Sequence, residues 1–210
     1  MTSKKCKRCG TCCKNGGPAL HIEDLPLLTN GQLSIENLIT IRQGEPAYSP
    51  LSDQIEPSTT ELVKLNGTGN SWVCCFYQDG DSSCGIYLHR PLECRILKCW
   101  DTSELTNLIF KNTINRLDII KKDDPLLEMI ARHEHECPYE NLRLASAQRC
   151  DHDRMRMKNK QTSVIMDACR EIIENDLSIR QAAVQQYNLS LSQELFYFGR
   201  PMFQSLSYFG

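Results

Sequence analysis

Cys6-Lys7-Arg8-Cys9-Gly10-Thr11-Cys12-Cys13 places four thiols near the start of the chain. Two intervening residues let a tight turn bring two thiolates to one metal while backbone amides point at the sulfurs. A single Cys-x-x-Cys is common; a triple with a vicinal fourth is specific. Cys6, Cys9 and Cys12 match the first three ligands of the bacterial ferredoxin run, but Cys13 replaces its x3-Cys-Pro continuation. Adjacent side chains diverge, so Cys12 and Cys13 need not serve the same ion. The motif therefore predicts either a cluster of several irons or two neighbouring metal sites. Lys4, Lys5, Lys7, Arg8 and Lys14 surround the thiols, with no acid before Glu23. Positive charge lowers thiol pKa and offsets the negative charge that a metal bound by four thiolates retains.

The chain has 12 cysteines in 210 residues, and its net charge is −2. That balance gives no global reason to expect nucleic acid, and no aromatics interleave with the five N-terminal cations. No apolar run approaches the ~18 residues of a membrane span. Met1 to Pro18 carries no apolar stretch of the kind a secretory leader needs. We therefore expect a cytoplasmic protein with no membrane association. A reducing compartment disfavours structural disulfides, so the clustered thiols read as metal ligands or redox groups.

The cysteines are unevenly spread. Four lie in Cys6–Cys13, five in Cys74–Cys99, and only Cys137, Cys150 and Cys169 beyond. A short helix is expected over Leu20 to Leu28, stopping at Asn30-Gly31, and a second from a Ser34 cap through Ile41. Glu45 to Thr60, with three prolines, reads as loop. Glu61–Leu65 and Ser71–Tyr77 are β-prone and flank Asn66-Gly67-Thr68-Gly69-Asn70, which suits a hairpin. Asp79–Ser83 then turns into Cys84–Leu88, for a sheet of about three strands, and Leu92–Lys98 follows Pro91 as a short helix. From Ser103 the apolar spacing is helical. It predicts one long helix from Leu105 through Ile120, a second over Leu126 to His135, and a third capped by Thr162 or Ser163. Shorter helices are expected over Ser178–Tyr187 and Ser190–Phe198. The expected fold is α+β: mostly helical, with a small antiparallel β-hairpin or sheet beside a cysteine-ligated metal centre. Residues 1–100 would form the metal-chelating domain, and 101–210 a helical region packed on it.

The second cysteine group reads Cys74-Cys75-Phe76, then Cys84-Gly85-Ile86-Tyr87-Leu88-His89-Arg90-Pro91-Leu92-Glu93-Cys94-Arg95. Together with Cys-x-x-Cys-x-x-Cys-Cys, these motifs resemble the YkgJ-type cysteine-cluster family over roughly residues 6 to 99. Its members are described as zinc- or iron-chelating. The resemblance implies metal ligands at Cys6, Cys9, Cys12, Cys13, Cys74, Cys84 and Cys94. Cys74 is preferred over Cys75 because Phe76 then takes the phenylalanine position, and strand alternation turns only one of the two inward. The family often continues Cys-Arg-x-(Tyr/Phe)-Pro, whereas this chain has Cys94-Arg95-Ile96-Leu97-Lys98-Cys99, so Cys99 is taken as the eighth ligand. Arg90, Pro91 and Arg95 would orient the loop and donate to sulfur or carboxylate, Arg90 and Arg95 as cofactor-binding residues.

Some members of that family are linked to flagellin lysine methylation, yet no methyl-donor site, P-loop, dinucleotide fingerprint or His-Glu-x-x-His pair is present. His133-Glu134-His135-Glu136-Cys137-Pro138 with Cys150-Asp151-His152 could form a second metal site, but His133 and His135 point to different helix faces. That favours a charged helix end with an incidental thiol. Cys169 reads as a small core residue. His21, Glu23 and Asp24 fit first-turn helix composition as well as catalysis. Phe196, Tyr197, Phe198, Phe203, Tyr208 and Phe209 form an aromatic C-terminal segment, expected to pack on the body or to dock a protein partner. Three functions follow. The first is a protein holding an iron–sulfur cluster or iron; the second is a zinc-binding structural or adaptor module; the third is a metal-dependent redox or group-transfer enzyme.

Overall fold

Leu38-Ile39-Thr40-Ile41 form the central strand β1 (Leu38–Ile41), all four residues buried, in a computed structural model that describes residues 8–69, 71–143 and 160–208. Cys6, Cys150, Asp151, His152 and Phe209 lie outside the described residues. The helix expected from Ser34 through Ile41 is not formed. Ser34 and Asn37 do make a capping box, with the Ser34 amide donating to Asn37 Oδ1 at 2.9 Å, but it caps one 3-10 turn, Ile35–Asn37. Ile39, Thr40 and Ile41 then favour extended chain because branching at Cβ restricts their rotamers in a helix.

β1 pairs antiparallel with β4 (Leu62–Leu65), Leu38 opposite Leu65 and Ile41 opposite Leu62. This corrects the expected hairpin between Glu61–Leu65 and Ser71–Tyr77. Val63 and Leu65 are buried, and β1, buried along its whole length, is the strand they pair with. Residues after Ser71 return only as far as one bridge, Gly67 to Cys74. The expected loop over Glu45–Thr60 contains a second hairpin, β2 (Pro46–Ser49) with β3 (Gln54–Pro57). Its prolines fall where a strand tolerates them: Pro46 opposes Pro57 at the open end, and Pro50 sits past the last pair. β5 (Tyr77–Gln78) pairs with β6 (Ser83–Cys84) across the predicted turn. Among the described residues the strands form three two-stranded sheets, and with the helices they make an α+β fold.

The helices are α1 (Thr11–Lys14), α2 (Leu25–Thr29), α3 (Leu92–Ile96), α4 (Ser103–Leu108), α5 (Leu127–Glu136), α6 (Lys160–Tyr187) and α7 (Leu191–Phe198). The long helix expected from Leu105 to Ile120 breaks after α4. Phe110 and Asn112 take positive φ, 62° and 53°, and the Ile114 amide bonds the Leu20 carbonyl at 3.1 Å while its own carbonyl takes the Val63 amide at 3.2 Å. Burial of Ile114 beside β4 outweighs helical spacing there. α5 and α7 lie where periodicity and the Ser190 cap put them. The two helices expected from Thr162 or Ser163 and from Ser178 are one, starting at Lys160.

α7 covers β1. Thr40 Oγ1 donates to the Phe196 carbonyl at 2.5 Å, and Phe196, Phe198 and Met202 are fully buried with Leu20, Leu38, Leu65 and Ile114 in one core. Much of the aromatic C-terminal segment is therefore packing surface, while Phe203 and Tyr208 are each 47% exposed. Gly199 ends α7 at φ 71°, and a Cβ there would meet the Thr40 carbonyl at 2.9 Å.

Ion pairs made by buried arginines fasten the helices to this core. Arg42, 1% exposed, forks onto Glu134 at 2.8 and 2.9 Å and donates to the Cys137 carbonyl at 2.8 Å. Arg116 bridges Glu134 and Glu61. On α6, Asp176 accepts from His133 Nε2 at 2.6 Å, from Arg180 Nε at 2.8 Å and from the Met202 amide at 3.0 Å. Arg180 also donates to the carbonyls of Phe198, Gly199 and Arg200 just past α7. A planar five-donor guanidinium can satisfy several acceptors at once, which is why arginine fills these positions.

Candidate metal centre

Gly10 caps the start of α1 at φ 74°, and a Cβ there would lie 2.4 Å from Tyr77 Oη. Only glycine lets the turn settle on that ring. Lys14 closes the other end, bonded to Asp79 at 2.9 Å and lying over the Tyr77 ring at 5.4 Å. The Cys13 carbonyl accepts the Cys74 amide at 2.9 Å. The N-terminal motif thus docks on the β5–β6 hairpin, with Cys74 just before it and Cys84 within it. Cys12 and Cys13 do not diverge as expected: helical backbone at α1 leaves their sulfurs 4.0 Å apart.

Cys94 arrives on α3, held by two acids. Asp24, fully buried, accepts the Leu92 amide at 2.8 Å and the His21 amide at 3.1 Å. Glu93 accepts the Ala19 amide at 3.0 Å and lies 3.3 Å from His21 Nε2. His21 Nδ1 is 2.8 Å from the Lys111 carbonyl. Both ring nitrogens face acceptors, so the imidazole favours its doubly protonated form. Burial pushes the His21 pKa down, and Glu93 and the Lys111 carbonyl overturn that, leaving it above the usual value. His21 and Asp24 act here as a clamp on α3. In the sequence His21 and Asp24 show only first-turn helix composition and Glu93 carries no local signal, because their partners lie about 70 residues away.

The structure brings Cys12, Cys13, Cys74, Cys84 and Cys94 into one electrostatic neighbourhood. Burial and then Cys12, with Cys74 and Cys84 beyond, push the Cys13 thiol up to about 12. Burial followed by Cys74, Cys13 and Cys12 raises Cys94, and burial with Cys74 and Cys12 raises Cys84 against the Ile86 amide and Arg90. Cys74 goes the other way, to about 7, because the Cys75 thiol donates to it, helped by the Phe76 amide and Lys64 against the cost of burial. Cys13, Cys84 and Cys94 resist ionising because burial, and then the charge of neighbouring thiolates, opposes a new negative charge; a bound cation inverts that balance.

The remaining predicted residues are placed as follows. Cys9 is exposed, its sulfur 3.2 Å from Thr11 Oγ1. Cys99 is exposed in the turn that joins Lys98 to Asp101. Cys75 lies 3.8 Å from the Asn37 carbonyl. Arg90 donates to the carbonyls of Tyr87 at 2.9 Å and Cys94 at 3.5 Å. Arg95 is 3.6 Å from Asp24. As the side chains stand, no three His, Cys, Asp or Glu residues among the described residues close around a single point. The donor set nonetheless fits a soft metal. Two sulfurs ~2.3 Å from a tetrahedral zinc lie about 3.8 Å apart, near the Cys12–Cys13 spacing. At the second sequence candidate, His133 Nε2 is taken by Asp176, and the Cys137 thiol lies 3.8 Å from the Ile172 carbonyl.

A family model of a cysteine-cluster protein class, CxxCxxCC, described as "Putative zinc- or iron-chelating domain", matches residues 5–115. That is more than half of the chain, and the chain belongs to this family. No curated protein and no solved structure matches it.

Proposed function

We propose that this protein holds a thiolate-ligated metal centre, with an iron–sulfur cluster as the form the donors favour. One observation carries the reading: the Cys12 and Cys13 sulfurs lie 4.0 Å apart on a turn whose Cys13 carbonyl takes the Cys74 amide at 2.9 Å, so thiols from separate segments meet beside the β5–β6 hairpin. Four thiolates complete a single tetrahedral ion. A fifth, with Cys6 and Cys9 in the same motif, exceeds that need and suits several irons. A bound cluster would supply one-electron chemistry. The second reading is zinc as a folding element, favoured by the 4.0 Å spacing of Cys12 and Cys13. The thiols themselves argue for a reducing compartment, the cytoplasm. Metal and acid-labile sulfide content, with a visible spectrum, on protein purified without oxygen distinguishes the two. Iron and sulfide in near-equal amounts with broad absorption establishes the cluster. Colourless protein with one or two zinc ions establishes the zinc module, and protein free of both metals overturns the proposal.

A further inference from the structure

Tyr87 carries two guanidinium groups on one ring: Arg90 lies 3.9 Å from the centroid and Arg8 lies 4.5 Å from it. Arg90 is held independently, by the Tyr87 and Cys94 carbonyls. Ring and guanidinium therefore form a ready platform on the segment between Cys84 and Cys94. Arg8 belongs to the other half of the centre, between Cys6 and Cys9. A ring face attracts each cation, but the two cations repel one another. Nearby net negative charge relieves that repulsion, and a metal bound by several thiolates supplies it.

We propose, resting on the thiolate–metal reading above, that Tyr87 is a positioning residue that docks the N-terminal cysteine segment through Arg8 and so sets how fast bound metal escapes. Metal leaves a centre shared between two segments when one segment lifts away. The Arg8–Tyr87 contact breaks in that same movement. Both contacts use the ring and neither uses the phenol hydroxyl, so phenylalanine serves as well as tyrosine.

The test loads the full chain with Co²⁺ under anaerobic conditions and follows the loss of thiolate-to-cobalt absorption in excess EDTA. Tyr87→Phe is expected to release cobalt at the wild-type rate. Tyr87→Ala and Arg8→Gln each release it about twofold to fivefold faster, and the double variant no faster than either single one. Wild-type release by Tyr87→Ala, or effects that multiply in the double variant, overturns the proposal. A second measurement needs no metal: trypsin cleavage of the Arg8–Cys9 bond in the metal-free chain, read by mass spectrometry. Tyr87→Ala is expected to be cut about twofold to fivefold sooner than wild type and Tyr87→Phe, and equal rates overturn the docking. If wild-type protein takes up no cobalt, the metal reading fails, and the cleavage rates alone decide the role of Tyr87.

Discussion

Asp24 is a fully buried carboxylate whose two oxygens each take a backbone amide, from Leu92 and from His21. Asparagine at this position keeps one acceptor and turns an NH₂ toward the other amide. Leaving a buried donor without an acceptor costs about 1–3 kcal/mol, and here it also loosens the helix that carries Cys94. Asp24→Asn is expected to lower the unfolding free energy, read from urea denaturation, by that amount and to weaken metal retention; unchanged retention in a competition assay would detach the clamp from the centre. Thiols give a sharper contrast. Cys84→Ser should lose metal and thermal stability together, whereas Cys169→Ala, partly buried against the core, should cost about 1 kcal/mol and keep its metal. The Cys-x-x-Cys-x-x-Cys-Cys pattern was legible because its chemistry is local. Asp24, Glu93 and Tyr87 were not, because what they do depends on partners that only the folded chain supplies.

Elements joined by buried charge make stability depend on pH. His133 is wholly buried, packed edge-on against Phe198 at 5.2 Å, and with Nε2–H donating to Asp176 its Nδ1 meets no partner among the described residues. A proton there would be buried without an acceptor. Burial lowers the His133 pKa to about 4 from 6.5, the Asp176 bond opposing and Arg42 and Arg180 assisting. The unfolded chain then binds a proton the folded one refuses, so the stabilisation is present above pH 6.5 and is lost as pH falls toward 4. Between pH 7 and pH 5 the loss is about 2 kcal/mol. His21, raised in the fold, acts in the opposite sense and above that window: its stabilisation is complete below pH 6.5 and is lost as pH rises through its folded pKa. The measurement is therefore the difference in urea midpoints between wild type and His133→Gln, which keeps a donor for Asp176; equal pH slopes would remove His133 from the account. Below pH 4.5 Glu134 adds a second loss. Its burial is outweighed by Arg42 and Arg116, which hold it near 2. The helices α5 and α7 were legible because apolar period and N-cap are local signals. β1 was hidden behind a genuine cap that serves a single turn, and the β2–β3 hairpin behind prolines that occupy strand ends.

At the scale of the whole molecule, the family-matched segment, residues 5–115, does not bury its own core. Leu20, Leu38 and Leu65 share one apolar cluster with Phe196, Phe198 and Met202. A fragment ending at residue 115 would expose β1 on the side that α7 covers, where strand and apolar surface together invite aggregation. Such a fragment is expected to show no cooperative unfolding without metal, as followed by circular dichroism against urea. A sharp transition would make the cysteine-bearing half autonomous. The aromatic character of Phe196, Tyr197 and Phe198 made packing on the body legible in the sequence, but nothing local says which strand α7 covers.

The bond from Thr40 to the Phe196 carbonyl spans 156 residues of chain, and that distance is also a delay. Translation at ~5–20 residues per second separates the two ends of the bond by about 8 to 30 seconds. Cys12 through Cys94 have all been synthesised well before that interval ends, while the strand beside them still lacks its cover. Metal delivered early would tie together a nascent chain whose centre is assembled and whose interior is still wet. Ribosome-bound chains arrested ahead of Leu191 should accordingly take up zinc while β1 stays open to protease, and refusal of zinc until α7 is added would reverse the order.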